Sequence, residues 1–313
     1  MSSPTNTVQS YNTVGNREDL SDIITRISPT TTPFMSGIGK SKASNTLHEW
    51  QTQDLTAAGN NAQIEGDDVS TFTAAIPTVR LNNRCQISTK SVVVSDTQTS
   101  GMNPAGRKNE LAFQISLRSL ELKRDIEVAL TQNSTAVVGS ASVGRQTRGL
   151  EGWIATNVDL GVGGAAPNYV TNVAATDGTA RAFTESQLKN VLQLIFTQGG
   201  EPNTVMVGPL QKQTFSTFTG NTTKFDKSED KSLTAAVDVY VSDFGTVNVV
   251  PNRFQRPRTA FVLQMDKFKM AMLRPFETKV LGKTGDAEKR LITVEYALEC
   301  LQEKASGAVR DVL

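Results

Sequence analysis

The clearest hydrophobic pattern in the chain lies between Asn103 and Asn133. Apolar residues recur there three or four positions apart, which is the spacing of one helix face. Asn103 can cap such a helix, Pro104 suits its first position, and neither proline nor glycine follows until after Asn133 except at Gly106. The pattern therefore predicts one helix of roughly 40 Å over 103–133. Its predicted stripe comprises Leu111, Ile115, Leu122, Ile126 and Ala129, and Phe113, Leu117 and Leu120 widen it.

The opposite face of this helix has charged residues at a spacing that favours helices. Arg118 with Glu121, and Lys123 with Glu127, are three or four positions apart. Such pairs stabilise a helix by roughly 0.2–0.5 kcal/mol each. We expect both pairs on the outer face.

Residues 1–45 are rich in Ser, Thr and Asn and contain few apolar residues. One short helix is predicted over 16–27, which Asn16 can cap and which Pro29 ends. Its apolar face comprises Leu20, Ile23, Ile24 and Ile27. A segment of this composition buries too little surface to fold alone, so we expect an arm that is ordered only against the body of the chain or a neighbour.

Residues 46–97 read as two strands around a polar tip. TLHEWQTQDL and VRLNNRCQISTKSVVVSDTQ have strand character, and AAGNNAQIEGDDVS between them is small, acidic and contains glycine. A two-stranded ribbon is marginally stable by itself. The pattern therefore predicts a long excursion that needs a partner surface.

The second half of the chain alternates helical and strand patterns, as in a mixed α/β domain. A capping box of Thr184 and Gln187 opens a helix that Gly199 ends, and Pro209 opens another through about Phe218. Strands are predicted at TVMVG, TAFVLQM and FKMAMLR, and a hairpin at VDVYVSDFGTVNVVPN. A last long strand, RLITVEYALECLQEK, has one apolar face made by Ile292, Val294, Tyr296, Leu298 and Cys300.

Composition narrows the classes of function. The 313 residues contain 32 Lys and Arg against 31 Asp and Glu, so no wide basic field indicates a nucleic-acid-binding protein. No apolar run reaches the about 18 residues that span a bilayer, and no signal peptide is recognisable. Cys85 and Cys300 match no metal or redox spacing and are expected to be reduced, buried residues.

The motif fragments indicate no catalysis. GKT at 282–284 lacks the earlier glycine of a phosphate-binding loop, and Asp243-Phe244-Gly245 lacks the companion motifs of a kinase. The glycines at 161 and 163 precede Pro167 rather than a helix. The single histidine, His48, is expected to be structural. We therefore predict no catalytic residue, no cofactor and no metal site.

Four blocks of sequence resemble the major capsid proteins of tailed bacteriophages, which have the Hong Kong 97-type fold. The order of the predicted parts also fits: a polar arm, a long excursion, one long helix, an α/β region and a long closing strand. The blocks are NREDLSDIITRISPTTTPFMSGIGK at 16–40, AGRKNELAFQISLRSLELKRDIEVALTQN at 105–133, LEGWIATN at 150–157, and the stretch from VYVSDFGTVNVVPNR to AMLRPFETKVLGKTGDAEKRLITVEYALEC.

The resemblance implies an α+β fold with named parts. Residues 1–45 would be the N-terminal arm, 46–99 the extended loop that lies over a neighbouring subunit, and 100–159 the peripheral domain with its spine helix at 103–133. Residues 160–275 would be the axial domain, and 276–313 would return to the peripheral domain.

The resemblance also implies function and partners. The chain would self-assemble through pentamers and hexamers into an icosahedral head that encloses double-stranded DNA without sequence-specific binding. It would assemble in the host bacterial cytoplasm with a portal protein, with a decoration protein as an optional partner, and without a membrane. Inter-subunit contacts are predicted at Leu20, Ile23, Ile24, Ile27, Trp50, Val92 and Val94. Arg253, Arg256 and Arg258 form a basic cluster that could contact DNA or phosphate, but we expect them to make ion pairs within or between subunits.

Two departures from some relatives lead to expectations. The capsid-like pattern begins almost at Met1, without a helical scaffolding segment, so we expect a separate scaffolding protein. No lysine, asparagine and glutamate trio for covalent cross-linking can be mapped, so we expect no cross-link. The alternatives are a cellular nanocompartment shell of the same fold and, with less support, a hydrolase or nucleotide-binding enzyme.

Overall fold

The computed structural model describes residues 30–66, 68, 72–100, 109–218 and 239–313. Within these residues the α-helices are α1 (Pro33–Gly37), α2 (Asp96–Ser100), α3 (Glu110–Thr131), α4 (Glu185–Thr197) and α5 (Pro209–Phe215). The strands are β1 (Gly39–Lys42), β2 (Leu47–Thr52), β3 (Val79–Arg84), β4 (Gln86–Ser95), β5 (Val158–Asp159), β6 (Thr204–Val207), β7 (Val239–Ser242), β8 (Gly245–Pro251), β9 (Thr259–Leu263), β10 (Phe268–Leu281), β11 (Ala287–Cys300) and β12 (Gly307–Arg310).

The first sheet has the order β1-β10-β11-β4 and is built around a long hairpin. Strands β10 and β11 pair antiparallel from Phe268 opposite Cys300 to Leu281 opposite Lys289. Helix α3 lies against this sheet, where Leu111 and Ile115 contact Val92 and Val94 of β4. The same helix buries Leu122, Ile126 and Leu130 in the main core of the chain.

The second sheet has the order β5-β12-β9-β6-β8-β7 and mixes parallel and antiparallel pairs. Helices α4 and α5 contribute to its own apolar core, through residues such as Leu188, Ile195 and Phe215. The predicted segment 276–313 divides between the sheets, because β11 lies in the first and β12 pairs with β9 in the second. The boundary predicted at 275/276 falls inside β10.

Several predicted elements are confirmed. Helix α4 has the predicted capping arrangement, in which the Thr184 backbone N–H donates to the Gln187 side-chain oxygen at 3.0 Å. Strands β6 and β9 and the hairpin of β7 and β8 lie where the pattern put them, and Pro209 opens α5, which ends at Phe215 rather than near Phe218. The short helix predicted over 16–27 lies outside the described residues.

The prediction of an uninterrupted helix from Asn103 is wrong. Asn109 has extended backbone angles, and its side chain accepts a hydrogen bond from the Ala112 N–H at 3.0 Å, so it is the N-cap of α3. The 22 residues of α3 make a rod of roughly 33 Å. Both asparagines suit a cap by residue type, and the apolar spacing does not choose between them.

Strand β11 has the predicted apolar face, and its other face is buried as well. Residues 292–300 are buried on both faces. Arg145 and Arg274 pair with Glu295, and Ser41 and His48 bond to Glu299. The polar face is therefore covered by partners from distant parts of the chain.

Candidate assembly site

The most exposed apolar surface of the described chain is the segment that links β2 to β3. Strands β2 and β3 pair antiparallel, with Leu47 opposite Arg84 and Thr52 opposite Val79. The described residues between them, in 53–78, form no helix or strand and are exposed. The extended loop predicted over 46–99 thus comprises two strands and the segment between them, and from here on we use the name extended loop for this segment, 53–78, alone. Three of its large apolar side chains are almost fully in solvent: Leu55 at 94%, Ile64 at 81% and Phe72 at 89%.

The base of the extended loop is fixed firmly to the body. The Trp50 indole N–H donates to the Cys300 carbonyl at 2.7 Å, and its ring lies 5.3 Å from that of Trp153. The Asn83 amide donates to the Leu298 carbonyl at 2.7 Å. Asp54 binds Lys304 at 2.5 Å, and this contact lowers the pKa of the Asp54 carboxyl. A rigid base therefore holds a loop that contacts little of its own subunit.

Three of the predicted inter-subunit residues have an intramolecular role. Trp50, Val92 and Val94 are buried, Trp50 in the main core and the two valines against α3. The two valines are buried because alternate residues of β4 face α3, while Val93 between them is exposed. Contact with a neighbour through these side chains stays a prediction. The other four, Leu20, Ile23, Ile24 and Ile27, lie outside the described residues.

Two of the three arginines in the predicted cluster form ion pairs inside the chain. Arg256 binds Glu151 at 3.0 Å and Asp177 at 2.5 Å. Arg258 binds Asp311 at 3.1 Å. These pairs connect the segment after β8 with three others: the one before β5, the one between β5 and α4, and the one after β12. Arg253 is exposed and makes no ion pair within the part of the chain that the structure describes. Ion pairs between subunits at these arginines stay a prediction.

A structural residue that the sequence analysis missed is Glu127. Its side chain is fully buried on α3, where it accepts hydrogen bonds from the Phe34 and Met35 backbone N–H groups, both at 2.8 Å, and from the Asn252 amide at 2.7 Å. Burial raises the pKa of the Glu127 carboxyl, and the three donors oppose this. The predicted Lys123–Glu127 pair is therefore wrong, whereas Arg118 and Glu121 do pair, at 2.7 Å.

Glu127 accepts the hydrogen bonds that the N-terminus of helix α1 cannot make within its own segment. Thr32, at the N-cap of α1, makes no capping hydrogen bond with its side chain, and Pro33 has no backbone N–H. The next two N–H groups would be buried without a partner, and Glu127 accepts both. A spacing-based search along α3 could not find this role, because the donors lie more than 90 residues away in sequence.

His48, Cys85 and Cys300, whose side chains could take part in chemistry, contact other side chains or are buried in the described chain. His48 contacts Glu299 at 3.3 Å on one side and the Trp50 ring on the other. Both cysteines are free and buried, and burial raises the pKa of the Cys85 thiol to about 11. Among the described residues, no group of His, Cys, Asp and Glu could hold a metal ion, and no helix is long and apolar enough to cross a membrane.

The same fold is found in solved phage capsid structures. The capsid asymmetric unit of cyanophage A-1(L) has the same fold, with a TM-score of 0.67 at 14% identity over 97% of this chain and 98% of that chain. The Phage G structure of major capsid and decoration proteins gives a TM-score of 0.54 at 11% identity, over 99% of each chain. The fold is the Hong Kong 97-type fold of phage capsid proteins.

The family follows from the sequence comparisons. The family model described as SU10 major capsid protein matches residues 4–313, and the chain belongs to this family. The major capsid protein of Escherichia phage Phieco32 is 28% identical over 346 residues, covering 99% of this chain and 97% of that protein. The protein is thus a structural protein of a tailed-phage virion that assembles into capsid shells, and not an enzyme. The nanocompartment alternative is not favoured.

Proposed function

We propose that this protein builds an icosahedral head from pentamers and hexamers, and that the head encloses double-stranded DNA. The observation that supports this most is the extended loop, which exposes Leu55, Ile64 and Phe72 on a rigid base. Burying each of these side chains is worth roughly 1.5–3 kcal/mol. A subunit that is complete alone would not leave such surface uncovered, whereas a subunit that covers a neighbour would use it.

In this proposal the parts of the chain divide the work of assembly. Residues 1–45 are an arm that contacts neighbours, and 46–99 lie over an adjacent subunit. Residues 100–159 form the peripheral domain with α3 as its spine, and 160–275 form the axial domain near the symmetry axes. Residues 276–313 return to the peripheral domain, with the amendment that β12 belongs with the second sheet.

We further propose three partners that act during or after assembly. A separate scaffolding protein sets the size of the shell in the host cytoplasm, and a portal protein occupies one vertex. Phage G supports the third, because its capsid structure contains decoration proteins. The near balance of 32 basic and 31 acidic residues suits a shell that confines DNA without binding it tightly, since phosphate binding needs many cationic contacts.

Two simple observations test the assembly proposals. Uniform shells of correct size from the purified chain alone would contradict the need for a scaffolding protein. We also propose that mature particles contain no covalent cross-link between subunits. A ladder of multimers on a boiled, reducing gel of mature particles would contradict this.

The extended loop provides the main experiment. The triple variant Leu55→Ser, Ile64→Ser, Phe72→Ser removes the exposed apolar side chains. We expect the unassembled subunit to melt within about 2 °C of the wild type, because these side chains contact little in it. We expect regular shells to be lost in electron micrographs of the chain expressed with its assembly partners.

A matched control uses polar residues of the same loop. The triple variant Thr56→Ser, Gln63→Ser, Thr73→Ser makes as many changes in exposed positions without removing large apolar surface. It should form shells as the wild type does. Normal shells from the apolar triple variant would contradict the proposal that the loop acts between subunits.

A further inference from the structure

A pocket of about 270 Å³ lies beside the base of the extended loop. Strand β3 forms one wall, and residues 136–138, 148–153 and 169–172 contribute to the others. Its basic residues are Arg80, Arg84 and Arg148, and none of the described residues that line it is acidic. The pocket is therefore a concentration of positive charge in a chain whose overall charge is close to zero.

Arg148 is the unusual member of this group. Arg148 is only 3% exposed, and its guanidinium carbon lies 4.6 Å from the centre of the Trp153 ring. Nη2 donates to the Asn172 side-chain oxygen at 2.8 Å, but the buried Nη1 has no hydrogen-bond partner among the described residues. Burial lowers the pKa of Arg148 to about 10, with no carboxylate to offset it, and the group stays charged at neutral pH.

The two neighbouring arginines add positive charge to the pocket and have few ionic partners of their own. Arg84 is half-buried and makes no ion pair within the described chain, and Arg80 reaches only the exposed Glu49, at 3.5 Å. A buried charge without an ionic partner is costly, and a guanidinium fork is shaped to bind a carboxylate through two hydrogen bonds. An oxyanion would satisfy both requirements, and a carboxylate is the oxyanion that another protein surface can supply.

The extended loop offers carboxylates of the required kind. The sequence of 53–78 contains Asp54, Glu65, Asp67 and Asp68 but neither lysine nor arginine. Asp54 is bound to Lys304, whereas Glu65 and Asp68 are exposed and make no ion pair within the described residues. The 13 residues from Thr52 to Glu65 can extend at most about 45 Å, which is enough to reach beyond the subunit's own surface.

We propose that the arginine pocket at Arg84 and Arg148 binds the Glu65 and Asp68 carboxylates of a second copy of this chain. The contact would place an acidic loop tip into a basic pocket, with Ile64 and Phe72 beside it to exclude water. The inference rests on the proposed function, because it takes the extended loop to lie over a neighbouring subunit. It adds the surface that receives the loop and the chemistry that fixes its position.

A charge exchange tests the contact. Arg84→Glu and Glu65→Arg are each expected to lower the yield of shells at least about tenfold, because each puts like charges together at an interface. The two changes together should restore the yield to within about threefold of the wild type. Both positions are at least partly exposed, so thermal unfolding of the unassembled subunits should stay close to the wild type and show that folding is intact.

The matched control is Arg84→Glu combined with Glu201→Arg, which makes the same charge change at an exposed acid outside the loop. This pair should assemble as poorly as Arg84→Glu alone. Equal restoration by either partner would contradict a specific contact, as would normal shells from each single variant. Each of these two results would rule out the contact between loop and pocket while wild-type shells still form, so the proposed function would stand. If the wild-type chain formed no shells with all its assembly partners, the proposed function itself would be contradicted.

A disulfide test shows whether the contact joins two chains. Gln63→Cys and Asn82→Cys place thiols beside the loop tip and at the pocket wall without changing a charge, and the native cysteines are buried. After mild oxidation of shells, a non-reducing gel should show a ladder of linked chains. Monomers that migrate faster than the reduced chain would carry a disulfide within one chain and would mean that the loop folds onto its own pocket. Monomers of unchanged mobility would mean that the two sites do not meet. Either result would overturn the inference.

Discussion

The buried Glu127 provides the sharpest test of how the subunit holds together. It joins α3, α1 and the segment after β8, because its two oxygens accept from Phe34, Met35 and Asn252. Glu127→Ala removes all three acceptor contacts and leaves buried donors unpaired. Glu127→Gln keeps the shape and one oxygen, but it turns the other oxygen into an amide that opposes a donor.

The size of the effect follows from the hydrogen bonds. A buried donor left without its acceptor costs about 1–3 kcal/mol, and three such donors are affected in the alanine variant. The relief of no longer burying a carboxylate subtracts from this sum. We expect Glu127→Ala to lower the free energy of unfolding by about 3–6 kcal/mol and Glu127→Gln by about half as much.

Denaturant unfolding of the unassembled subunit at pH 7, followed by tryptophan fluorescence, measures both values. Trp50 and Trp153 lie in the same main core as α3 and report on its loss. A cost below about 1 kcal/mol for alanine, or equal costs for alanine and glutamine, would refute the reasoning.

The pH dependence of the same side chain has a definite sign. The pKa of Glu127 in the folded state is raised above the ordinary value of 4.5, and the main cause is burial. Its titration therefore contributes stability that is present in full below pH 4.5 and is lost as the pH rises through the folded-state pKa. The unfolding free energy of the wild type relative to Glu127→Gln should fall over that window, and a rise would contradict the account.

Three more predictions concern other core residues of the subunit. Ile126→Asp places a charge at a fully buried position and should prevent recovery of folded subunits in a solubility assay. Ile115 is only partly buried, so Ile115→Asp should leave a destabilised but detectable fold. A larger loss of folded subunits for Ile115→Asp than for Ile126→Asp would contradict this. Trp50→Phe should lower the free energy of unfolding in denaturant by about 1–3 kcal/mol, because the Cys300 carbonyl loses its indole donor. An unchanged free energy of unfolding would show that this hydrogen bond is dispensable. In a thiol-labelling assay at pH 8, Cys85 and Cys300 should react only after unfolding. The pKa of the Cys85 thiol is about 11, so roughly one part in a thousand is thiolate, and burial raises the pKa of the Cys300 thiol well above its usual value. Rapid labelling of the native subunit would contradict this.

Local patterns in the sequence predicted those elements whose causes are local. Helix α4 carries its own capping box and its own apolar stripe, so its start could be placed at one residue. The turn at Asp243 and the hairpin around it follow from alternation of valines on both sides. In each case the residues that decide the structure lie within one element or its neighbour.

The prediction was wrong for Glu127 and incomplete for β11, because in both cases a distant segment supplies the partner. Glu127 has the spacing of a surface ion pair with Lys123, and it is buried because α1 packs over it. Glu295 and Glu299 alternate with apolar residues as a solvent face would, yet arginines, a serine and a histidine from elsewhere cover them. Charge spacing within an element cannot reveal such partners.

The arginine pocket could not be predicted from the sequence for the same reason. Arg84 and Arg148 are 64 positions apart, and nothing in the composition around either one suggests a site. The Asn83 side chain brings them together, because its amide oxygen accepts from the Arg148 N–H at 2.8 Å while β3 holds Arg84 next to it. The acidic character of the loop tip, in contrast, was visible in the sequence.

A cryo-EM reconstruction of assembled particles tests the central claim most directly, because it shows what covers the extended loop. We predict that Leu55, Ile64 and Phe72 are buried against an adjacent subunit, while the fold of each subunit matches the one described here. A reconstruction in which the loop packs on its own subunit, or stays in solvent while the shell is intact, would contradict the account.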